Sequence, residues 1–269
     1  MTRSLLSLLM IVFTSQLPVV AGMAQPFDGN PPPRRYIVEK LKTHDIVFMG
    51  TTHKQPRILQ FIGTLLPHLH RAGVTHVALE IASDQQNCIQ HFLNGGTGLD
   101  SVKLHAAIDC THYRHLLQSM REIPEAIRPQ ILGVDLPADQ YGGPISRDQW
   151  IARELSAITR NRRDAKVLVI IGALHVLRKL EWDSPRQRDH GAIRTQLQAL
   201  QPGLALFSVV NLVSTIESDC DFSRAYGHKT SIQALDLTPR FRSWRLGFTR
   251  WLAIRPTPPH ELVDGLIVY

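Results

Sequence analysis

An unbroken run of apolar, mostly β-branched residues begins at Val167 and ends in Gly172-Ala-Leu-His175. Such a run is typical of a strand buried on both faces, which belongs in the middle of a parallel sheet. In open parallel sheets, ligands bind outside the carboxyl ends of the strands. The sequence therefore predicts that a glycine turn delivers His175 to that edge.

The same pattern occurs earlier in the chain, over Asp45–His53. This stretch reads D-I-V-F-M-G-T-T-H, so Gly50 and His53 repeat the G-x-x-H spacing of Gly172 and His175. Two strands that each deliver a histidine through a glycine turn are the basis of the functional prediction.

Strand-like and helix-like segments alternate along the whole chain. At 269 residues and 43% apolar content, the chain can bury one sizeable core. We predict a single-domain α/β fold, with a mostly parallel sheet, helices on both faces and the site at the C-terminal strand ends. The other predicted strands are Asp45–Met49, Thr75–Ile81, Gln130–Leu136, Leu204–Leu212 and Asp264–Tyr269.

Helices are predicted between these strands. The first runs from Pro56 to about Gly73, with Pro67 kinking it or ending it early, and a later one is marked by Ile193–Leu200. A further helix is expected over 99–127. Two more are expected to begin at capping boxes, formed by Ser83 with Gln86 and by Ser146 with Gln149.

The amino-terminal residues predict export. Arg3, the apolar run Leu5–Phe13 and the small residues that follow resemble a signal peptide over 1–24. A membrane anchor is the competing interpretation, but polar residues and a proline interrupt the run. Residues 25–44 read as a Pro-rich lead-in, extended over 25–36, to a domain over 45–269, and the mature protein is expected to be periplasmic or secreted. Pairing among Cys88, Cys110 and Cys220 stays open.

Four predicted strand ends carry groups suited to catalysis: His53, Glu80, Asp135 and His175. Imidazole exchanges protons near pH 7, and a neighbouring carboxylate fixes its tautomer or raises its basicity. Two imidazoles with one or two carboxylates also suit a divalent metal, for which His53, Glu80 and His175 are the candidate ligands. Either arrangement would activate water, although each residue alone is equally compatible with a structural or solvated role.

The ordered set of these short motifs resembles a known superfamily. G-T-T-H at Gly50–His53, V-A-L-E at Val77–Glu80 and I-G-A-L-H at Ile171–His175 resemble the superfamily that joins the Tiki and TraB/GumN proteins, the ChaN haem-uptake proteins and the erythromycin esterases. The paired G-x-x-H motifs look most like the Tiki/TraB branch, whereas the segment Ala78–Gln86 looks more like ChaN. The closing D-G-L-I-V-Y looks like the last strand of the family.

The resemblance implies an α/β fold with His53, Glu80 and His175 in the catalytic or binding positions. In the esterase branch the matching histidine would be the general base for water attacking an ester; in the Tiki branch these residues would serve a metal-dependent peptidase. ChaN and the esterases usually read G-E-x-H in the first motif. Thr51 stands in place of that acid, which favours the Tiki/TraB-like interpretation. We therefore predict an exported hydrolase acting on an ester or peptide substrate.

Haem binding without catalysis, of the ChaN kind, is the alternative. His112, Tyr113 and His115 could supply axial ligands, and a nearby arginine could pair with a propionate. The competing interpretation of this segment is a helix on which Tyr113 packs inward while the two histidines face water. The sequence contains no C-x-x-C-H motif for covalent attachment of haem.

The late segment 240–255 interleaves arginines with aromatic residues. It could form a lid, an anion-binding strip or a membrane-surface patch, or its aromatics could pack onto the sheet while the arginines stay solvated. The residues of the predicted membrane contact are Arg240, Arg242, Trp244, Arg245, Arg250 and Trp251. No nucleotide cofactor and no nucleic-acid partner are expected, because P-loop and G-x-G-x-x-G motifs are absent and the basic excess is concentrated late in the chain.

Overall fold

The computed structural model describes residues 30–96, 98–162, 164–178, 193–213, 221–226, 231–246 and 257–269. The predicted signal peptide, Cys220, Arg250 and Trp251 lie outside these residues. Within them, no helix is long and apolar enough to cross a membrane. Cys88 and Cys110 are both free thiols.

Seven strands and eight helices follow one another along the described chain. The strands are β1 Ile46–Thr51, β2 His76–Ala82, β3 Gln130–Asp135, β4 Val167–Gly172, β5 Leu206–Leu212, β6 Gln233–Asp236 and β7 Gly265–Val268. The helices are α1 Pro33–Thr43, α2 Pro56–Leu65, α3 Gln86–Leu93, α4 Thr111–Glu122, α5 Arg147–Asn161, α6 Ile193–Leu200, α7 Asp221–Tyr226 and α8 Pro259–Leu262.

All strands belong to one sheet, in the order β3-β2-β4-β1-β5-β7-β6. Only β6, at one edge, runs antiparallel to its neighbour; the other described pairings are parallel. β1 and β4 lie in the middle with every residue buried, as the apolar runs in their sequences predict. The ends of β2, β4 and β1 therefore lie side by side.

Two apolar layers cover the sheet. One contains the buried side chains of α1, α2, α3 and α4 together with alternate residues of the central strands, and the other contains those of α5, α6 and α7. The prediction of an α/β fold with helices on both faces of a mostly parallel sheet is confirmed.

The prediction of an extended chain over 25–36 is wrong from Pro33 onward, because Pro33–Thr43 is a helix. Pro33 takes the first helical turn, where its missing N–H costs nothing. Tyr36, Ile37 and Leu41 are buried in the first apolar layer. The proline-rich composition concealed this apolar stripe.

The predicted capping boxes have different outcomes. Ser146 and Gln149 do form the reciprocal pair that begins α5. Ser83 and Gln86 do not, because Gln86 turns to the free edge of β3, where its side chain accepts from the Gly133 N–H and donates to the Ile131 carbonyl. The helix predicted over 99–127 begins only at Thr111.

Candidate active site

The structure brings the four predicted residues together at the carboxyl edge of the sheet. Glu80 lies near the end of β2, Asp135 ends β3, and His175 lies in the 3-10 turn that follows β4. His53 follows β1, the strand between β4 and β5. The parallel sheet thus collects side chains that are more than a hundred positions apart.

Arg147 is the centre of the cluster, although it was not among the predicted site residues. Its Nε and Nη2 donate to the two carboxylate oxygens of Asp135 at 2.6 and 2.5 Å. Nη2 also donates to Glu80 Oε1 at 2.6 Å, and Nη1 lies 3.0 Å from His175 Nε2. One guanidinium therefore joins three of the four predicted residues.

The electrostatics of Arg147 follow from these contacts. Burial alone would lower the pKa of Arg147, but its hydrogen bonds and charge pairing with Asp135 and Glu80 raise it above the ordinary value. Arg147 is therefore a permanent cation. Glu80 and Asp135, which are almost completely buried, need such a partner because an unpaired buried carboxylate is costly.

His175 is held at both ring nitrogens. Its Nδ1 lies 2.5 Å from Oδ1 of Asp148, which is fully buried in the first turn of α5. Since a guanidinium can only donate, the contact with Arg147 makes Nε2 an acceptor. The hydrogen bonds therefore assign the proton of His175 to Nδ1, where Asp148 accepts it.

Gly172 brings the two histidine rings together. A Cβ atom at this position would lie 3.0 Å from Cε1 and 3.2 Å from Nε2 of His53, and 3.5 Å from Cδ2 of His175. The Gly172 N–H also donates to Glu80 Oε2 at 2.7 Å. The glycine of the second G-x-x-H motif thus leaves room for both rings and anchors the glutamate.

His53 differs from the other three predicted residues because its side chain is exposed. It makes no hydrogen bond to any residue that the structure describes. The next residue, Lys54, has φ +58°, which is uncommon for a side chain with a Cβ. His53 is therefore the imidazole best placed to exchange a proton with water or a substrate.

Arg147 and Asp148 had a signal in the sequence. They lie between the two members of the Ser146–Gln149 capping box, in the first turn of the helix that follows β3. A helix that follows a parallel strand begins near the carboxyl end of the sheet, so charged residues in its first turn lie at the site edge. Arg147 and Asp148 were not predicted because the prediction considered only histidines and the residues at strand ends.

The residues do not fit the predicted metal site. The oxygens of Glu80 accept from Arg147 and Gly172, and the Nε2 of His175 accepts from Arg147. Within the described residues, no three His, Cys, Asp or Glu side chains are grouped as metal ligands. The guanidinium of Arg147 binds the carboxylates of Glu80 and Asp135 where a metal ion would have to bind them.

The predicted haem ligands do not share one face of α4. Tyr113 is buried in the first apolar layer, whereas His112 is partly exposed and His115 is exposed. The two imidazole rings lie 6.3 Å apart, centroid to centroid. Arg114, the arginine beside them, is paired with Asp109. Tyr113 therefore cannot join the two histidines on one haem without rearrangement of the helix.

The late segment packs onto the protein where it is described. Trp244 contacts the rings of Phe222 and Phe241 at 4.7 and 5.0 Å, and Phe241 is buried. Arg240, Arg242 and Arg245 are exposed. The predicted membrane contact stays a prediction.

Comparison with known proteins identifies the fold. No family model matches the sequence, and no curated protein matches it. Among the solved structures that match over most of the chain is a succinoglycan biosynthesis protein, with 11% sequence identity, a TM-score of 0.64 and 91% of each chain covered. Erythromycin esterase EreC matches with 9% identity, a TM-score of 0.63, and 87% of this chain and 92% of that chain covered. ChaN of Campylobacter jejuni with cofacially bound haem matches with 12% identity, a TM-score of 0.53, and 87% of this chain and 91% of that chain covered. The chain therefore has the fold shared by ChaN and the erythromycin esterases, as its motifs implied.

Proposed function

We propose that the protein is a hydrolase of carboxylic esters or amides in which His53 is the general base. The proposal depends on one observation: an exposed imidazole lies beside a buried, fully ion-paired network at the carboxyl edge of a parallel sheet. His53 would take a proton from water, and the water oxygen would attack the carbonyl carbon. The leaving alcohol or amine would then receive that proton from His53.

The network beneath His53 supplies rigidity and charge. Asp148 orients His175, and His175 and the two carboxylates fix Arg147 from three sides. A group held in this way loses no energy to reorganisation when charge develops in the transition state. Arg147 would therefore be the fixed cation that faces the substrate.

The choice of a hydrolase over other reactions has two supports. The sequence lacks a G-x-S-x-G nucleophile motif, and the site offers a free imidazole and a fixed cation, which are suited to activating water directly. Among proteins with this fold, EreC is an erythromycin esterase. The substrate class proposed is thus a carboxylic ester or amide with an alcohol or amine leaving group.

The test is hydrolysis of a panel of p-nitrophenyl esters and fluorogenic peptides by the purified protein. Replacing His53 by glutamine should lower kcat/KM by about 10²- to 10⁴-fold, the usual contribution of a general base. His70→Gln is the matched control, since His70 is an exposed histidine that precedes β2 at the opposite edge of the sheet. Equal rates for His53→Gln and the wild-type protein would exclude the proposed base.

Haem binding is the second candidate, because ChaN with the same fold binds haem cofacially. His112, which is partly exposed, and the exposed His115 offer two imidazoles on one helix face. A Soret band that appears on addition of haem and disappears in the double variant His112→Ala, His115→Ala would support this function.

We also propose export with cleavage after residue 21 or 24, which the mass of the mature protein would test.

A further inference from the structure

A cavity of about 330 Å³ lies along the edge of the sheet that β3 forms. It lies between β3 and α5, and the residues that line it include Leu132 and Val134 of β3 and Glu154 and Ile158 of α5. None of the residues of the candidate active site lines it. Its size falls within the range of about 300–1,000 Å³ that small-molecule sites occupy. The cavity is therefore large enough for a ligand of its own.

Glu154 is a charged group of this cavity that has no counter-ion. The side chain is half-buried, and it makes no hydrogen bond or ion pair with any residue that the structure describes. Burial raises the pKa of Glu154, and no neighbouring cation opposes that shift. Because a carboxylate that loses water without gaining a partner is costly, a bound cation at this position would be favoured.

The other polar groups of the cavity are neutral or already paired. Arg162 donates through Nε and Nη2 to the two carboxylate oxygens of Asp164, at 3.3 and 2.9 Å. Gln86 uses its amide on the edge of β3. Burial lowers the pKa of His76, so its imidazole is neutral at pH 7. Within the described residues, the uncompensated charge of the cavity is thus the negative charge of Glu154.

An apolar surface lies beside this carboxylate. Leu132 and Ile158 line the cavity and are only partly buried, so a ligand can cover what remains exposed of them. Glu154 and Ile158 are four residues apart on α5 and therefore lie on the same side of that helix. A ligand that satisfies both features carries a positive charge at one end and an apolar group at the other.

We propose that this cavity binds a small primary amine that carries an apolar group. The ammonium group pairs with the carboxylate of Glu154, and the apolar group contacts Leu132 and Ile158. This site is separate from the proposed hydrolase chemistry and does not depend on it.

The test is calorimetric titration of the purified protein at pH 7 with 2-phenylethylamine and with its neutral analogue 2-phenylethanol. The amine should bind about tenfold more tightly than the alcohol or better, the effect expected of a hydrogen bond to a charged group. Glu154→Gln should weaken binding of the amine by the same factor and leave binding of the alcohol unchanged. The variant keeps the shape of the side chain and removes an unpaired carboxylate, so we expect it to fold at least as stably as the wild type.

Two further variants separate the cavity from charge in general. Glu122→Gln removes the same charge from an exposed glutamate on α4 that does not line the cavity, and it should bind the amine like the wild type. Ala157→Leu adds bulk at an exposed lining position of α5 and should abolish binding of the amine, with the melting temperature as the check on folding.

Three results would each overturn the inference. The first is no binding of the amine by the wild-type protein at about 10 mM, which is weaker than a specific site of this size would give. The second is an unchanged affinity for the amine in Glu154→Gln. The third is an unchanged affinity in a folded Ala157→Leu variant, because the amine would then bind outside the cavity.

Discussion

Replacing Arg147 by methionine should destabilise the protein strongly, because it leaves two buried carboxylates without a cation. The side chains of Glu80 and Asp135 are only 4% and 5% exposed, and Arg147 is their shared partner. Removing one member of a buried ion pair costs about 3–5 kcal/mol. For a chain of this size, such a loss lowers the melting temperature by about 6–20 °C.

The assay is urea unfolding of both proteins at pH 7 and at pH 4.5. Protonation removes the charge of an unpaired carboxylate, so the difference in unfolding free energy should shrink at the lower pH. Combining Arg147→Met with Glu80→Gln and Asp135→Asn should restore most of the lost stability at pH 7. A loss below about 1 kcal/mol in Arg147→Met would show that the two carboxylates do not depend on Arg147, since that is the size expected of a surface pair.

Four other substitutions test separate parts of the structure. Burial lowers the pKa of His76, so the unfolded chain binds the proton more readily; His76→Gln should lose less stability than the wild type when the pH falls from 7 to 5. Burial raises the pKa of Glu154, so Glu154→Gln should raise the unfolding free energy at pH 7 and not at pH 4. Gly133→Ala puts a Cβ 2.8 Å from two backbone oxygens and should lower the free energy of unfolding by about 1–3 kcal/mol. Gly63→Ala, which has open space in α2, should be stabilising. Thermal melts at the stated pH values check the two pH-dependent variants and the two glycine variants.

The fold was predictable because its central strands have an unambiguous pattern. β1 and β4 are apolar throughout, and a strand buried on both faces has few alternatives to a place inside a parallel sheet. β6 was not predicted, because a four-residue edge strand with an exposed aspartate has no pattern that distinguishes it from a loop. Helix α1 was missed because its proline-rich start suggested an extended chain.

The site was only partly predictable, for a physical reason. Strand ends in a parallel sheet converge by topology, so the meeting of Glu80, Asp135 and His175 could be anticipated. Arg147 and Asp148 reach the same edge from a helix, and their role depends on side-chain directions that spacing does not encode. The metal site stays a prediction, and nothing in the strand motifs indicated that a guanidinium would join the two carboxylates.

Chemical rescue of the variant His53→Gly by imidazole tests the role of His53 as the general base. The glycine variant should fold like the wild type, because His53 is exposed, and should lack esterase or amidase activity. Free imidazole should restore hydrolysis in proportion to its concentration, since it replaces the missing base. Full activity of His53→Gly in buffer without imidazole would show that His53 is not the general base.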